Sequence, residues 1–148
     1  GGAGGKVIYD GGPFLWPTTF TKISSGFGYR WGTNHNGVDI SNGTYGAPIY
    51  AIADGVVYIV RTGCTHNYPK QYSCGCGGGY GNYVMISHAG GKLTVYGHLT
   101  SLTVSSGQTV SRGQVIGYVG HTGRATGNHL HLEVLINKTR ADSMSFFT

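Results

Sequence analysis

The stretch Ile49-Tyr50-Ala51-Ile52-Ala53-Asp54-Gly55-Val56-Val57-Tyr58-Ile59-Val60 sets two short apolar runs on either side of an Asp-Gly pair. That dipeptide tolerates the backbone angles of a tight turn, so the pattern reads as strand, turn, strand. The same texture continues outward in Tyr83-Val84-Met85-Ile86-Ser87, Leu93-Thr94-Val95-Tyr96, Val115-Ile116-Gly117-Tyr118-Val119 and the run from Leu130 to Ile136. Short apolar runs punctuated by glycine predict an all-β domain. A weak echo relates Ala47 to Ala51, with Asp54 to Val57, to the segment from Val110 to Val119, but it is no repeat array.

Composition supports that reading. Glycine supplies 28 of 148 residues, far above the ~7% usual in proteins. Each glycine inside a helix costs roughly 0.8–1.0 kcal/mol relative to alanine, so helix can only be a minor element. The acids are Asp10, Asp39, Asp54, Asp142 and Glu133, against ten Lys and Arg, giving a net charge of +5 and a pI near 9.2. The single glutamate lies outside any HExxH pattern, and no P-loop lysine signature occurs. Helical zinc-protease and P-loop nucleotide chemistry are therefore excluded.

The length suits one domain with a real core. No apolar run approaches the ~20 residues needed to span a bilayer, and the opening Gly1-Gly2-Ala3-Gly4-Gly5 reads as a processed product whose targeting segment is gone. Residues 1–12 are expected to form a flexible glycine-rich leader and residues 13–148 a single domain, with ordered chain starting around Pro13, Trp16 and Pro17. About residues 61–81 form a Cys/Gly/Tyr-rich insertion, long for a structureless connection. It holds Cys64, Cys74 and Cys76. One disulfide, Cys64 with Cys74 or Cys76, is expected. A second metal site built with His66 is the sharper alternative, but the spacing lacks CxxC pairs.

Seven histidines, His35, His66, His88, His98, His121, His129 and His131, outnumber all the acids. His66, His88 and His121 stand alone and read as surface or hydrogen-bonded core residues. In His129-Leu130-His131 strand alternation puts both imidazoles on one face and Leu130 and Leu132 in the core. In His35-Asn36-Gly37-Val38-Asp39 an extended backbone would give residues 35 and 39 a shared face, with Gly37 leaving room for an ion. His35, Asp39 and one histidine of the pair make three ligands with a fourth position left for water, a catalytic zinc pattern. The other histidine then sits beside the metal-bound water, where it can take the proton as general base or hold the tetrahedral oxyanion, and His98, at a strand end before a turn, aims at the same water.

These motifs resemble the lysostaphin-like, LytM-type zinc endopeptidases that cut peptidoglycan peptides. The likeness runs from about Phe14 to Ile136 through Ile23 to Arg30, His35 to Ile40, Ala47 to Ala51, Gly81 to His88, Tyr96-Gly97-His98-Leu99 and Thr126 to Glu133. It implies a largely antiparallel sheet flooring a narrow groove closed by loops, the duplicated hybrid motif type. It implies one zinc ion per chain on His35, Asp39 and His131, with His98 and His129 catalytic. Asn34 and Tyr83 are lower-ranked substrate-side candidates, and Arg30 is either structural or substrate-positioning. Expected partners are peptidoglycan peptides and, through the +5 charge, anionic cell-wall polymers; nucleic acid, a membrane span and an oligomer are not expected. The resemblance places the protein outside the cell, in the periplasm or at the cell wall.

Two other classes compete. A catalytically silent cell-wall-binding or activator module would keep the groove without turnover, but no expected ligand is missing. A carrier or phosphotransfer domain shares the strand texture, yet it needs no HxxxD motif and no lysine sits at a lipoyl-like hairpin tip.

Overall fold

In the computed structural model of the chain, the described residues are 14–19, 37–41, 45–64, 80–120 and 129–141, with backbone alone described at 22–25, 28–30, 33–35 and 41. The expected leader, and the insertion from 65 to 79, lie outside them. No helix occurs among the described residues. The strands are, in chain order, β1 (Lys22–Ser25), β2 (Gly28–Arg30), β3 (Thr33–His35), β4 (Val38–Ser41), β5 (Pro48–Tyr50), β6 (Gly55–Arg61), β7 (Asn82–His88), β8 (Lys92–Leu102), β9 (Thr109–Val110), β10 (Val115–Val119), β11 (His129–Ile136) and β12 (Thr139–Ala141).

Ten of these strands form one sheet, its main path ordered β1-β4-β11-β8-β7-β6-β9, with β12 on β11 and β10 bridging β8 and β5. Every pairing within it is antiparallel. Strands β2 and β3 form a separate hairpin. Period-2 alternation does the sorting: Val38 and Ile40 of β4, Leu130, Leu132 and Val134 of β11, and Val84 and Ile86 of β7 all reach the core. Leucine or isoleucine truncated to alanine in such a core costs about 2–5 kcal/mol. The opposite face of β4 and β11 is left for Asp39, His129, His131 and Glu133.

The Asp-Gly pair does not make a hairpin. β5 pairs with β10, and β6 with β7 and β9, while Ala51, Ile52 and Ala53 pass between them almost wholly buried. Asp54 turns its polar atoms outward from any turn: its carbonyl accepts from His88 Nδ1 at 2.6 Å and its Oδ1 from the Arg112 amide at 2.7 Å. Gly55 is needed for close packing, since a Cβ there would lie 2.7 Å from the Ser87 carbonyl and 2.9 Å from His88 Nδ1. The two echoing segments hydrogen-bond to each other, Val115 opposite Tyr50 and Tyr118 opposite Pro48, with Ala51 exchanging backbone bonds with Gln114 and Gly113.

Candidate active site

Three adjacent strands bring the site together. The register sets His131 of β11 directly opposite Asp39 of β4 on one side and Gly97 of β8 on the other. His131 Nδ1 lies 2.8 Å from Asp39 Oδ1, and His129 Nε2 approaches the same oxygen at 3.7 Å. The His98 ring meets both at a steep angle, its centroid 4.7 Å from that of His129 at 60° and 5.9 Å from that of His131 at 66°.

His98 is not at a strand end. It sits within β8, where the register against β7 breaks between the partners of Asn82 and Val84, and its φ is +65°. A bulge re-aims a side chain that regular pleating would send elsewhere. The left-handed backbone is held on both sides: the His98 amide donates to the Tyr80 carbonyl at 2.7 Å, and its carbonyl accepts from the Gly120 amide at 3.0 Å.

Residues 35 to 39 are likewise not one extended segment, because β3 pairs with β2, and β4 with β1 and β11, with a bend at Gly37 between them. Gly37 presses against β11 instead. A Cβ there would collide with the Leu132 carbonyl, lie 2.7 Å from Glu133 Cγ and 3.0 Å from His131 Nε2. Asn34 and His35 are placed by their backbone in β3, opposite Tyr29 and Gly28; their side chains, and Arg30's, are outside the described set. Among the described residues no group of three His, Cys, Asp or Glu side chains stands ready for a metal. Asp39 and His131 can share one cation, and a donor set of carboxylate and imidazole without thiolate suits an open rather than a closed zinc centre.

Sequence reasoning passed over three residues behind His131. Its Nε2 donates to Glu133 Oε2 at 2.8 Å, and the same oxygen accepts from the Tyr80 hydroxyl at 2.6 Å. Glu133 Oε1 accepts from Arg140 Nε at 2.9 Å. Burial alone would raise the Glu133 carboxyl, but the bonds from His131 and Tyr80 prevail and hold it below the ordinary carboxylate range. Burial, then the bond to Glu133, pushes the Tyr80 phenol up to about 12. Burial works against charge on His131 as well, yet its hydrogen bonds to Asp39 and Glu133 outweigh this and raise it to about 9.

Tyr83 is half-buried in β7, and the Tyr80 ring meets it edge-on at 5.3 Å. Next to it, Asn82 Oδ1 accepts from the Cys64 amide at 2.9 Å and its Nδ2 donates to the Leu99 carbonyl at 3.1 Å, pinning the entry of the insertion to β8. Cys64 is disulfide-bonded, and its partner lies outside the described residues, as do Cys74, Cys76, His66 and His121. His88 is buried, and its ring nitrogens bond to the Asp54 carbonyl and Thr94 Oγ1.

Residues 33–143 match the family model described as Peptidase family M23. The DD-carboxypeptidase/endopeptidase Mpg of Neisseria meningitidis serogroup B is 43% identical over 141 residues, covering 90% of this chain and 29% of that protein. The chain thus spans under a third of the length of that curated relative. Among solved structures, a zinc containing peptidase from Vibrio cholerae matches with a TM-score of 0.72 at 37% identity, over 90% of this chain and 40% of the other. The catalytic domain of lysostaphin from Staphylococcus simulans matches with a TM-score of 0.66 at 30% identity, over 85% of this chain and 91% of the other. With Asp39, His129 and His131 on one sheet face and a family match across three quarters of its length, the chain belongs to Peptidase family M23.

Proposed function

We propose that this chain is the catalytic domain of a zinc-dependent endopeptidase that hydrolyses peptide bonds in peptidoglycan cross-bridges or stem peptides. The observation that carries the reading is the meeting of His129 and His131 at one carboxylate oxygen of Asp39, with the His98 ring against both imidazoles. His35, Asp39 and His131 are the proposed ligands. When bound, zinc supplies a Lewis acid that polarises a carbonyl oxygen and makes a water acidic near neutral pH.

The chain's own residues do the rest. Asp39 and His131 would hold the ion, and what supports this is that both come from strands in register within a continuous sheet. In this reading His129 and His98 take a proton from the attacking water and hold the developing negative charge on the carbonyl oxygen; their mutual contact supports a shared role. Tyr83 and Asn34 are the substrate-side residues of this reading. Peptidoglycan peptides as substrate, an extracellular, periplasmic or wall-associated location, attraction of the +5 chain to anionic wall polymers and a monomeric state complete the proposal.

Metal analysis of the purified chain, joined to mass spectrometry of products from peptidoglycans of differing cross-bridge, tests it. About one zinc per chain and new peptide termini that disappear with a chelator are expected. A chain that takes up no zinc overturns the metal assignment. Zinc uptake without cleavage of any wall type favours the silent binding or activator module.

A further inference from the structure

We infer that Tyr80, Glu133 and Arg140 are positioning residues that fix the tautomer and ring plane of His131, so that its Nδ1 is presented to the shared cation with Asp39. This rests on the metal-site reading above. Glu133 is the only glutamate in the chain and is 1% exposed. A carboxylate so deeply buried is costly unless its oxygens are satisfied. Here both are: Oε2 takes the His131 Nε2 proton and the Tyr80 hydroxyl, and Oε1 takes Arg140 Nε. With Nε2 committed as a donor, Nδ1 is the nitrogen left for a metal, and its partner across the strand pair is Asp39 Oδ1 at 2.8 Å.

Each member reaches this point for a separate structural reason. Glu133 follows His131 by two residues on β11 and so shares its face. Arg140 on β12 stands opposite Leu135, diagonal to Glu133. Its Nη2 also lies 3.5 Å from the Tyr80 hydroxyl. Tyr80 ends the insertion and has two holds on the site: its hydroxyl on Glu133 and its carbonyl on the His98 amide. Its ring lies 5.7 Å from that of His131. Gly37 closes the other side, where any Cβ would meet Glu133 Cγ and His131 Nε2. The set therefore ties the proposed ligand His131 and the proposed catalytic His98 to one tyrosine.

Zinc affinity, measured by competition with a chromogenic chelator on purified chains, decides this independently of turnover. Glu133→Met keeps the volume and removes the acceptor, and is expected to weaken zinc about 10- to 100-fold. Glu133→Gln retains one acceptor oxygen and should restore part of the loss, which a volume-filling role would not do. Tyr80→Phe keeps the ring but loses the hydroxyl, and should weaken zinc about two- to tenfold, one hydrogen bond's worth. Should Glu133→Met fail to fold, Glu133→Gln and Tyr80→Phe carry the test. Wild-type chain that binds zinc together with variants of unchanged affinity overturns the positioning role and leaves the metal reading standing. Wild-type chain that binds no zinc overturns both.

Discussion

His131 and His88 are both nearly withdrawn from water, at 8% and 5% exposure, and each ring bonds through both nitrogens. Their partners differ in charge. His88 Nδ1 donates to the Asp54 carbonyl, and its Nε2 shares a 2.9 Å hydrogen bond with Thr94 Oγ1, which in turn meets the buried Tyr96 hydroxyl at 2.9 Å. Burial outweighs the bond to the Asp54 carbonyl and the pull of the Asp54 carboxylate, which Lys92 opposes, and holds the His88 pKa below its ordinary value. His131 stands between two carboxylates, which overcome the same desolvation and raise it to about 9. A buried histidine bonded directly only to a carbonyl and a hydroxyl joins strands together, whereas one bonded directly to two carboxylates marks a place where the fold wants a cation.

Substitution of each histidine should separate these roles. His131→Ala is expected to abolish zinc uptake and bring peptidoglycan cleavage to background. The metal's contribution of several kcal/mol, at 1.36 kcal/mol per decade, makes that at least about a 10³-fold loss in kcat/KM. His88→Ala should leave zinc stoichiometry and the rate per folded molecule unchanged, while denaturant titration shows a loss of about 2–4 kcal/mol from the cavity and the abandoned Asp54 and Thr94 groups. If His88→Ala also emptied the metal site, the contrast between the two histidines would collapse.

Sequence carried much of this contrast, and where it fell short the reasons are local. The run Val115–Val119 is a strand at the expected bounds, and alternation along β11 correctly divides Leu130 and Leu132 from His129 and His131. The Asp-Gly pair misled because its polar atoms bond to His88 and Arg112, 34 and 58 residues away, contacts that no local pattern encodes. His98 departs from regular pleating through a bulge, and only a tertiary register break reveals it. β12 was invisible because its hairpin turn is Asn137-Lys138 at φ +49° and +69°, a turn whose usual signature ends in glycine. Glu133 was legible in principle, two residues beyond His131 on the same face. Tyr80 was not, since it meets Glu133 across 53 residues of chain.

A milder change probes the His88 side alone. Thr94→Val preserves shape and removes the hydroxyl that bridges His88 and Tyr96. Leaving those buried groups one partner short should lower unfolding free energy by about 1–2 kcal/mol, with zinc affinity unmoved. A loss no greater than that of a surface substitution would mean that the bridge adds nothing to stability.

The smallest expected effect is a slope, and its sign differs for the two histidines. The folded pKa of His88 lies below the unfolded value near 6.5, so in the window just below 6.5 the unfolded chain binds more protons. Stability contributed by neutral His88 is therefore present above 6.5 and is lost as pH falls through the folded pKa. His131 in the zinc-free chain has a folded pKa raised to about 9; its contribution is fully present below 6.5 and is lost as pH rises through 9. Thermal unfolding of the zinc-free chain across this range should thus lose an acidic limb in His88→Gln and an alkaline limb in His131→Ala, each compared with wild type. Identical pH profiles for wild type and His88→Gln would show that the His88 ring is not held neutral by its burial, and the distinction between a joining histidine and a cation-site histidine would then rest on Asp39 and Glu133 alone.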